Sequence, residues 1–411
     1  MFRVLTFAVL LASALAAKKY NGYKVLRVTP KNDQELGKLF SLKDAVKDYV
    51  DFWKSPTTVD RPVDMLISPL HRDLVVGHIN RRNLEFEVTV QDLQKDIDEE
   101  RVEAVAGFSY TDYNTLDSIN SWMDDFALSY PNLVEVVDVG SSYEGRTIRA
   151  LKISGGTGGK PVAWYEGGIH AREWISPATI IYMTKLLVEG YVANDLNARD
   201  ILDNLDVYML PVYNVDGYEF TWNGDRMWRK TRKPLPLSSC YGVDPNRNWD
   251  YQWLASSIKC SEAYPGPNPF SEIEVSSVTD YITNLNNDRG VLAFIDFHAY
   301  GEMWMTPCGY TTELPKDNKE QIEVATESVK ALQSVYEGET VYDTNVGPIA
   351  TVIYQAYGSS VDWTYGALGI VHSYAVELRN TRSFIISSAN IEKSGRETYE
   401  ALKVTSLHVI P

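Results

Sequence analysis

The spacing of apolar residues divides the chain in two. Up to residue 101 the apolar runs are short. Tyr23–Val28 (YKVLRV) alternates as a half-buried strand does, and Val63–Ile67 and Leu84–Val90 read as further strands. Asp33–Leu42 has apolar residues at helical spacing, and Gln91–Arg101 (QDLQKDIDEER) predicts a highly charged helix. Residues 18–101 therefore form a compact α+β unit. From about residue 108 apolar strands alternate with helices. Strands are predicted at 147–153, 162–169, 207–212, 291–297 and 374–378, and helices at 116–130, 177–189, 271–287 and 319–336. That alternation is an α/β pattern. Stretches rich in Pro, Gly, Ser and Asn at 233–270 and 338–348 predict long loops, the usual carriers of a site.

The N-terminus has its own pattern. Arg3 precedes the apolar run Val4–Leu11, and the small residues of Ala12–Ala17 give an Ala-x-Ala cleavage pattern. This predicts a signal peptide over 1–17 and a secreted protein. The run is too short to span a bilayer comfortably, so no membrane anchor is expected. The boundaries follow as 1–17, 18–101 and 102–411. Arg101 before Val102 is a basic site in an acidic context. It fits a linker opened by a trypsin-like protease as well as it fits an ordinary interdomain helix.

Composition narrows the partners. A chain of 411 residues with 44% hydrophobic positions can bury more than one core. A formal net charge of −16 argues against nucleic acid, which needs clustered Lys and Arg. Of the three cysteines, two can pair in an oxidising compartment and one is left over. Cys240 and Cys260 flank a loop that a bridge would pin.

Two of the six histidines close apolar strands: His170 after 162–169, and His298 after 291–297. Ligands in open α/β sheets gather at such carboxyl ends. Glu173, three residues after His170, faces the same way in a helical turn. With His298 it gives two nitrogens and one carboxylate, and leaves a fourth zinc position for water. Asp244 is a candidate to orient a ligand histidine. Strand 374–376 runs into Glu377, which can act as a general base or pair with Arg379. Arg226, Arg229, Lys230 and Arg232 surround Trp228, either as a solvated basic face or as groups for an oxyanion and a carboxylate.

The motifs GGIHAREWI (167–175), RMWRKTR (226–232), GVDPNRNWD (242–250), FHAY (297–300), IYQAYGSSVDW (353–363) and AVELR (375–379) resemble those of A/B-type zinc carboxypeptidases, in order and spacing. The resemblance implies an α/β catalytic domain with a mixed, mostly parallel twisted sheet flanked by helices. A small α+β, ferredoxin-like activation domain would precede it. It implies one Zn2+ held by His170, Glu173 and His298, with Glu377 as general base and Arg229 polarising the scissile carbonyl. Asn246 and Arg247 would clamp the substrate's terminal carboxylate, with Tyr354 as a mobile lid and Arg172 and Tyr300 as further substrate contacts. It also implies a Cys240–Cys260 disulfide.

Within that resemblance Val361 falls where basic-specific members carry an acidic residue. Met305, Ile349, Ile353, Ala356 and Ala375 make the remaining pocket positions apolar, so aromatic or large aliphatic C-terminal residues are expected. Ser359 for Gly and Ala375 for Thr depart from the vertebrate A-type pattern, and Ser359 can narrow the pocket. Cys308 is either a buried apolar residue or a reactive thiol. The competing readings are a deacylase of N-acyl amino acids and a non-catalytic relative. The lid, pro-region and disulfide disfavour the first, and the complete set of ligands and base disfavours the second. The expected partners are peptide C-termini and an activating trypsin-like protease, with the chain a monomer.

Overall fold

The computed structural model describes residues 17–100, 107–156 and 159–411. The signal-peptide run and the Arg101 site lie outside the described residues, apart from Ala17.

The first unit is built on strands β1 (Lys24–Val28), β2 (Val50–Lys54), β3 (Val63–Ile67) and β4 (Glu87–Val90). They form an antiparallel sheet in the order β2-β3-β1-β4. Helices Asp33–Val46 and Arg72–Arg81 complete a β-α-β-β-α-β chain order, the ferredoxin-like arrangement. Asn32 starts the first helix by accepting from the Glu35 amide. Alternation then sorts the sheet's faces. Leu26, Val28, Met65 and Ile67 pack on the helices, while Val25, Leu66 and Val90 join the core of the second unit. Both faces of this small sheet are covered.

The second unit holds β5 (Val134–Ser141), β6 (Thr147–Ile153), β7 (Val162–Gly167), β8 (Asp206–Leu210), β9 (Val291–His298), β10 (Met303–Thr306), β11 (Val346–Pro348) and β12 (His372–Glu377). Their order is β11-β10-β12-β9-β7-β8-β6-β5. Strands β12, β9, β7 and β8 run parallel, β10 and β11 pair in parallel, and the other pairings are antiparallel. The chain leaves β7 towards β8 and later returns on the other side as β9. That reversal is a topological switch point, where α/β sheets open a crevice.

Periodicity located most of this but not all. It missed β2, β5, β10, β11 and the helices at 72–81, 196–204, 215–223 and 360–366. It also missed the C-terminal helix Ile391–His408, which packs on helices Ile175–Val192 and Asn318–Gln333. Its buried face includes Ser394, Gly395, Thr398, Thr405 and Ser406. Small polar residues give close approach without an apolar stripe. Ser394 and Thr179 hydroxyls are 2.7 Å apart, and a Cβ on Gly395 would lie 2.5 Å from the Tyr182 ring.

Arg379, just past β12, anchors that helix through Glu397, with bonds of 2.9 and 2.8 Å to side chains 8% and 1% exposed. Removing one partner strands the other's charge away from water. Glu397→Ala is expected to destabilise by about 3 kcal/mol, because Glu339 remains near the guanidinium. Urea unfolding of the full chain measures it, and a loss below about 1 kcal/mol, surface-pair size, would contradict it.

Candidate active site

Three strand ends make the site. In register, Glu377 on β12 lies opposite His298 on β9, and Gly167 on β7 lies opposite Phe297. The chain leaves β7 through Gly168, at φ +67°, where a Cβ would press on Pro177, Pro211 and Val212 within 3.3 Å. Only glycine fits that turn without strain. It delivers His170 to the crevice, and a turn from His170 to Glu173, closed by a 3.2 Å backbone bond, brings the carboxylate round.

The Nδ1 atoms of His170 and His298 lie 3.1 Å apart and face Glu173, at 2.9 Å from Oε1 and 3.2 Å from Oε2 respectively. All three residues are buried. Each imidazole is backed on its other nitrogen. Asp244 Oδ1 is 3.1 Å from His170 Nε2, and Asp296 Oδ2 is 2.9 Å from His298 Nε2. Such backing fixes the tautomer that offers Nδ1 to an ion.

Sequence reasoning named Asp244 but missed Asp296. The available signal was its position two residues before His298, hence on the same face of β9. Asp296 Oδ2 also accepts from Asn246 Nδ2 at 3.2 Å and Ser360 Oγ at 2.8 Å. Buried Glu166 lies opposite Asp296 in register, and burial followed by the Asp296 charge pushes its carboxyl well above the usual range.

The electrostatics call for a cation. Burial alone would lower the His298 pKa, yet Asp296 and Glu173 raise it well above the ordinary value. Burial works against ionising Glu173, but His170 and His298 hold it well below the carboxylate range. Two imidazoles, one carboxylate and an open fourth direction suit Zn2+. The residues present fit that ion.

Around this centre the structure brings together most of the predicted residues. Arg229 donates to Asp244 Oδ2 at 2.8 Å and lies 3.7 Å from Glu173. Asn246 lies 3.0 Å from His298 Nε2, and Arg247 donates to the Tyr354 hydroxyl at 2.9 Å. Among the described residues the buried Oε2 of Glu377 has no hydrogen-bond partner, and burial followed by the Glu173 charge raises that carboxyl to about 7. Arg379 turns away to Glu397, so the alternative Glu377–Arg379 pairing does not form.

A cavity of about 230 Å³ opens beside the centre, with Met303, Met305, Ile349, Ile353, Ala356, Ser359 and Ala375 in its wall. Val361 does not line it. This residue sits in the first turn of helix Ser360–Gly366, 1% exposed and outside the lining, while Ser359 faces in. Asp362 is tied up by the Gly309 amide at 2.8 Å and the Tyr310 amide at 3.2 Å, and burial raises it to about 6. Cys308 is buried, with its thiol pushed up to about 11 by burial, so it is the apolar residue rather than the reactive thiol. Cys240 and Cys260 are joined, with Cα atoms 5.3 Å apart.

The first unit also lines the cavity, through Arg27, Trp53, Lys54 and Arg61. Asp51 accepts from Arg172 at 3.0 Å, and Asp64 from the Tyr300 hydroxyl at 2.8 Å. Arg27 donates to the Thr381 carbonyl, and Arg61 to Asn345. None of these covering residues was foreseen. Arg226, read with its neighbours as either a solvated face or site groups, is instead buried against Glu100 at 2.6 and 2.9 Å.

A buried two-histidine, one-glutamate centre at a switch point, beside an unpaired carboxylate, places the chain among zinc hydrolases. Comparison with known proteins narrows the class. The profile described as zinc carboxypeptidase matches residues 119–401, and that described as carboxypeptidase activation peptide matches 26–100. The chain is 37% identical to carboxypeptidase A1 of Sus scrofa, over 100% of its own length and 99% of the relative's. It is 42% identical to carboxypeptidase B of Astacus astacus, covering 72% of this chain and 97% of that one. Among solved structures, thrombin activatable fibrinolysis inhibitor superposes with a TM-score of 0.85 at 31% identity, covering 94% and 98%. The chain belongs to the zinc carboxypeptidase family and carries that family's activation peptide.

Asp296 yields a test of the centre. Asp296→Asn keeps the shape but removes the carboxylate that orients His298. Zinc affinity is expected to fall roughly 10- to 100-fold, read by chelator competition. Unchanged affinity would show that Asp296 has no part in holding the ion.

Proposed function

We propose that this chain is a secreted zymogen whose cleaved form removes apolar residues from peptide C-termini. His170, Glu173 and His298 would hold one Zn2+. Bound there, the ion supplies Lewis acidity and eases the loss of a proton from water. Glu377 accepts that proton; its buried, unpaired oxygen beside the ligand cluster is the observation that carries the reading. Arg229, fixed by Asp244, is placed to steady the oxyanion of the scissile carbonyl. Arg247 and Asn246 meet the substrate's terminal carboxylate, and Tyr354 closes over it from its position on Arg247.

Arg247 can grip that carboxylate through two parallel bonds, so a free C-terminus defines the substrate. The apolar wall around Ile349 and Ala375 supports preference for aromatic or large aliphatic residues, with Ser359 setting the width. With Val361 outside the lining, the preference rests on that apolar wall, and the nearby Asp362 carboxylate is already held by the Gly309 and Tyr310 amides. Asp51 on Arg172 and Asp64 on Tyr300 support the zymogen reading, because pro-region carboxylates occupy groups assigned here to substrate. Cleavage after Arg101 by a trypsin-like protease would free them. The disulfide and the N-terminal apolar run support secretion. Among the described residues no helix is long and apolar enough to cross a membrane.

A panel of peptides differing only at the C-terminal residue tests substrate and zymogen together. Trypsin-treated protein should release Phe, Leu and Ile rapidly, release Lys and Arg slowly, and leave C-terminal amides intact. Uncleaved protein should act far more slowly on every member. Equal rates on Lys and Leu would overturn the specificity, and equal rates before and after cleavage would overturn the zymogen.

Glu377 tests the chemistry. Glu377→Gln is expected to lower kcat/KM by roughly 10²- to 10⁴-fold on a blocked dipeptide. The base works only when deprotonated, and its raised pKa extends the inactive acid form upward towards 7. Activity should therefore fall as pH drops, on a limb at or below about 7, and the variant should lose that limb. A limb that persists in Glu377→Gln would assign the base elsewhere.

A further inference from the structure

All four histidines after residue 101 fall into two clusters, and the family's chemistry uses only one of them. The second gathers Glu320, His372 and His408, whose ligand atoms all lie within 4.8 Å of one another. It occupies the opposite end of β12 from Glu377. His372 opens that six-residue strand and Glu377 closes it, so the two are roughly 16 Å apart along it at about 3.3 Å per residue. Glu320 comes from the first turn of helix Asn318–Gln333, and His408 from the last turn of helix Ile391–His408. Three separate elements deliver one donor each.

Both donor spacings to Glu320 come close to those of a tetrahedral ion. Glu320 Oε1 lies 3.3 Å from His372 Nε2 and 3.7 Å from His408 Nε2. An ion bound at about 2.0–2.1 Å to each donor spaces tetrahedral donors roughly 3.3–3.4 Å apart. The rings stand edge to face with centroids 5.0 Å apart, so neither covers the other's nitrogen.

The buried side of the cluster is built to present one nitrogen. His372 Nδ1 lies 3.2 Å from the Tyr374 hydroxyl, which donates its proton to the Gln321 carbonyl at 3.4 Å. In that arrangement Nδ1–H donates to the hydroxyl, and Nε2 is the nitrogen that faces Glu320. Gln321 Nε2 in turn bonds the Val371 carbonyl at 2.8 Å and fixes the helix against the strand. Glu320 and His408 are half exposed, leaving the fourth direction open to water.

We infer that Glu320, His372 and His408 form a second zinc-class site, remote from the cleft, that pins the C-terminal helix to the central sheet. The full zinc-loaded chain tests it by equilibrium dialysis against buffered free Zn2+, with metal counted per chain. About two ions per chain are expected, falling to about one in His408→Asn and in Glu320→Gln. Excess Zn2+ should also raise Tm in the native chain and not in the variants, with peptidase activity of the cleaved enzyme unchanged. One ion per chain in the native protein at saturating Zn2+ would overturn the site and leave an ion pair in its place. A second ion that persists in both variants would also overturn it, by placing that ion in the cleft.

Discussion

One electrostatic constraint organises this molecule: buried carboxylates gathered around two histidines. Glu173, Asp244 and Asp296 all contact His170 or His298, and all are buried. Such a cluster is tolerable only when positive charge balances it. The protein supplies part of that charge through Arg229, whose guanidinium shares Asp244 with His170, one on each carboxylate oxygen. A divalent ion held by His170, Glu173 and His298 would supply the rest. Metal centre and arginine are thus coupled through one side chain, and neither can shift without disturbing the other.

The surrounding loops are positioned by the same carboxylates. Asn246 donates to Asp296 and, through its own oxygen, accepts from the Ser360 amide. Segment 244–247 is thereby tied to β9 and to the helix that begins at Ser360. Arg247 inherits its place from these bonds, as does the cavity wall at Ser359. The covering unit meets the second unit's buried cations with carboxylates, Asp51 on Arg172 and Glu100 on Arg226. A net-acidic chain has thus put arginines where carboxylates converge, from the pro-region now and, in the proposed reaction, from substrate later.

What the sequence made legible follows from how local each signal is. His170 and His298 close apolar runs, and Glu173 stands one turn from His170, so the ligand set could be read within short windows. Asp296 was missed because it is embedded in the apolar run Phe294–Phe297, its one local signal was its place two residues before His298, and its other partners, Asn246 and Ser360, lie on two distant segments. Val361 shows a related limit: the turn into helix Ser360–Gly366 puts Ser359 in the cavity wall and leaves Val361 1% exposed and outside that wall, a difference the motif alone does not carry. The C-terminal helix escaped because serine, threonine and glycine on its buried face allow close contact with Tyr182 and Thr179, which hydropathy cannot register.

The two His–His–Glu clusters share a donor set yet differ in what surrounds it, and that difference bears on what each can do. At the cleft both imidazoles are backed by carboxylates, which raise ligand basicity, and burial removes competing water. At the far end His372 is backed by a neutral hydroxyl, and Glu320 and His408 both face solvent. Affinity there must be lower, and no unpaired carboxylate like Glu377 lies among the three donors to take a proton. The second cluster is therefore equipped to hold three elements together rather than to activate water. Chemistry follows the second set of contacts around the donors more than the identity of the donors themselves.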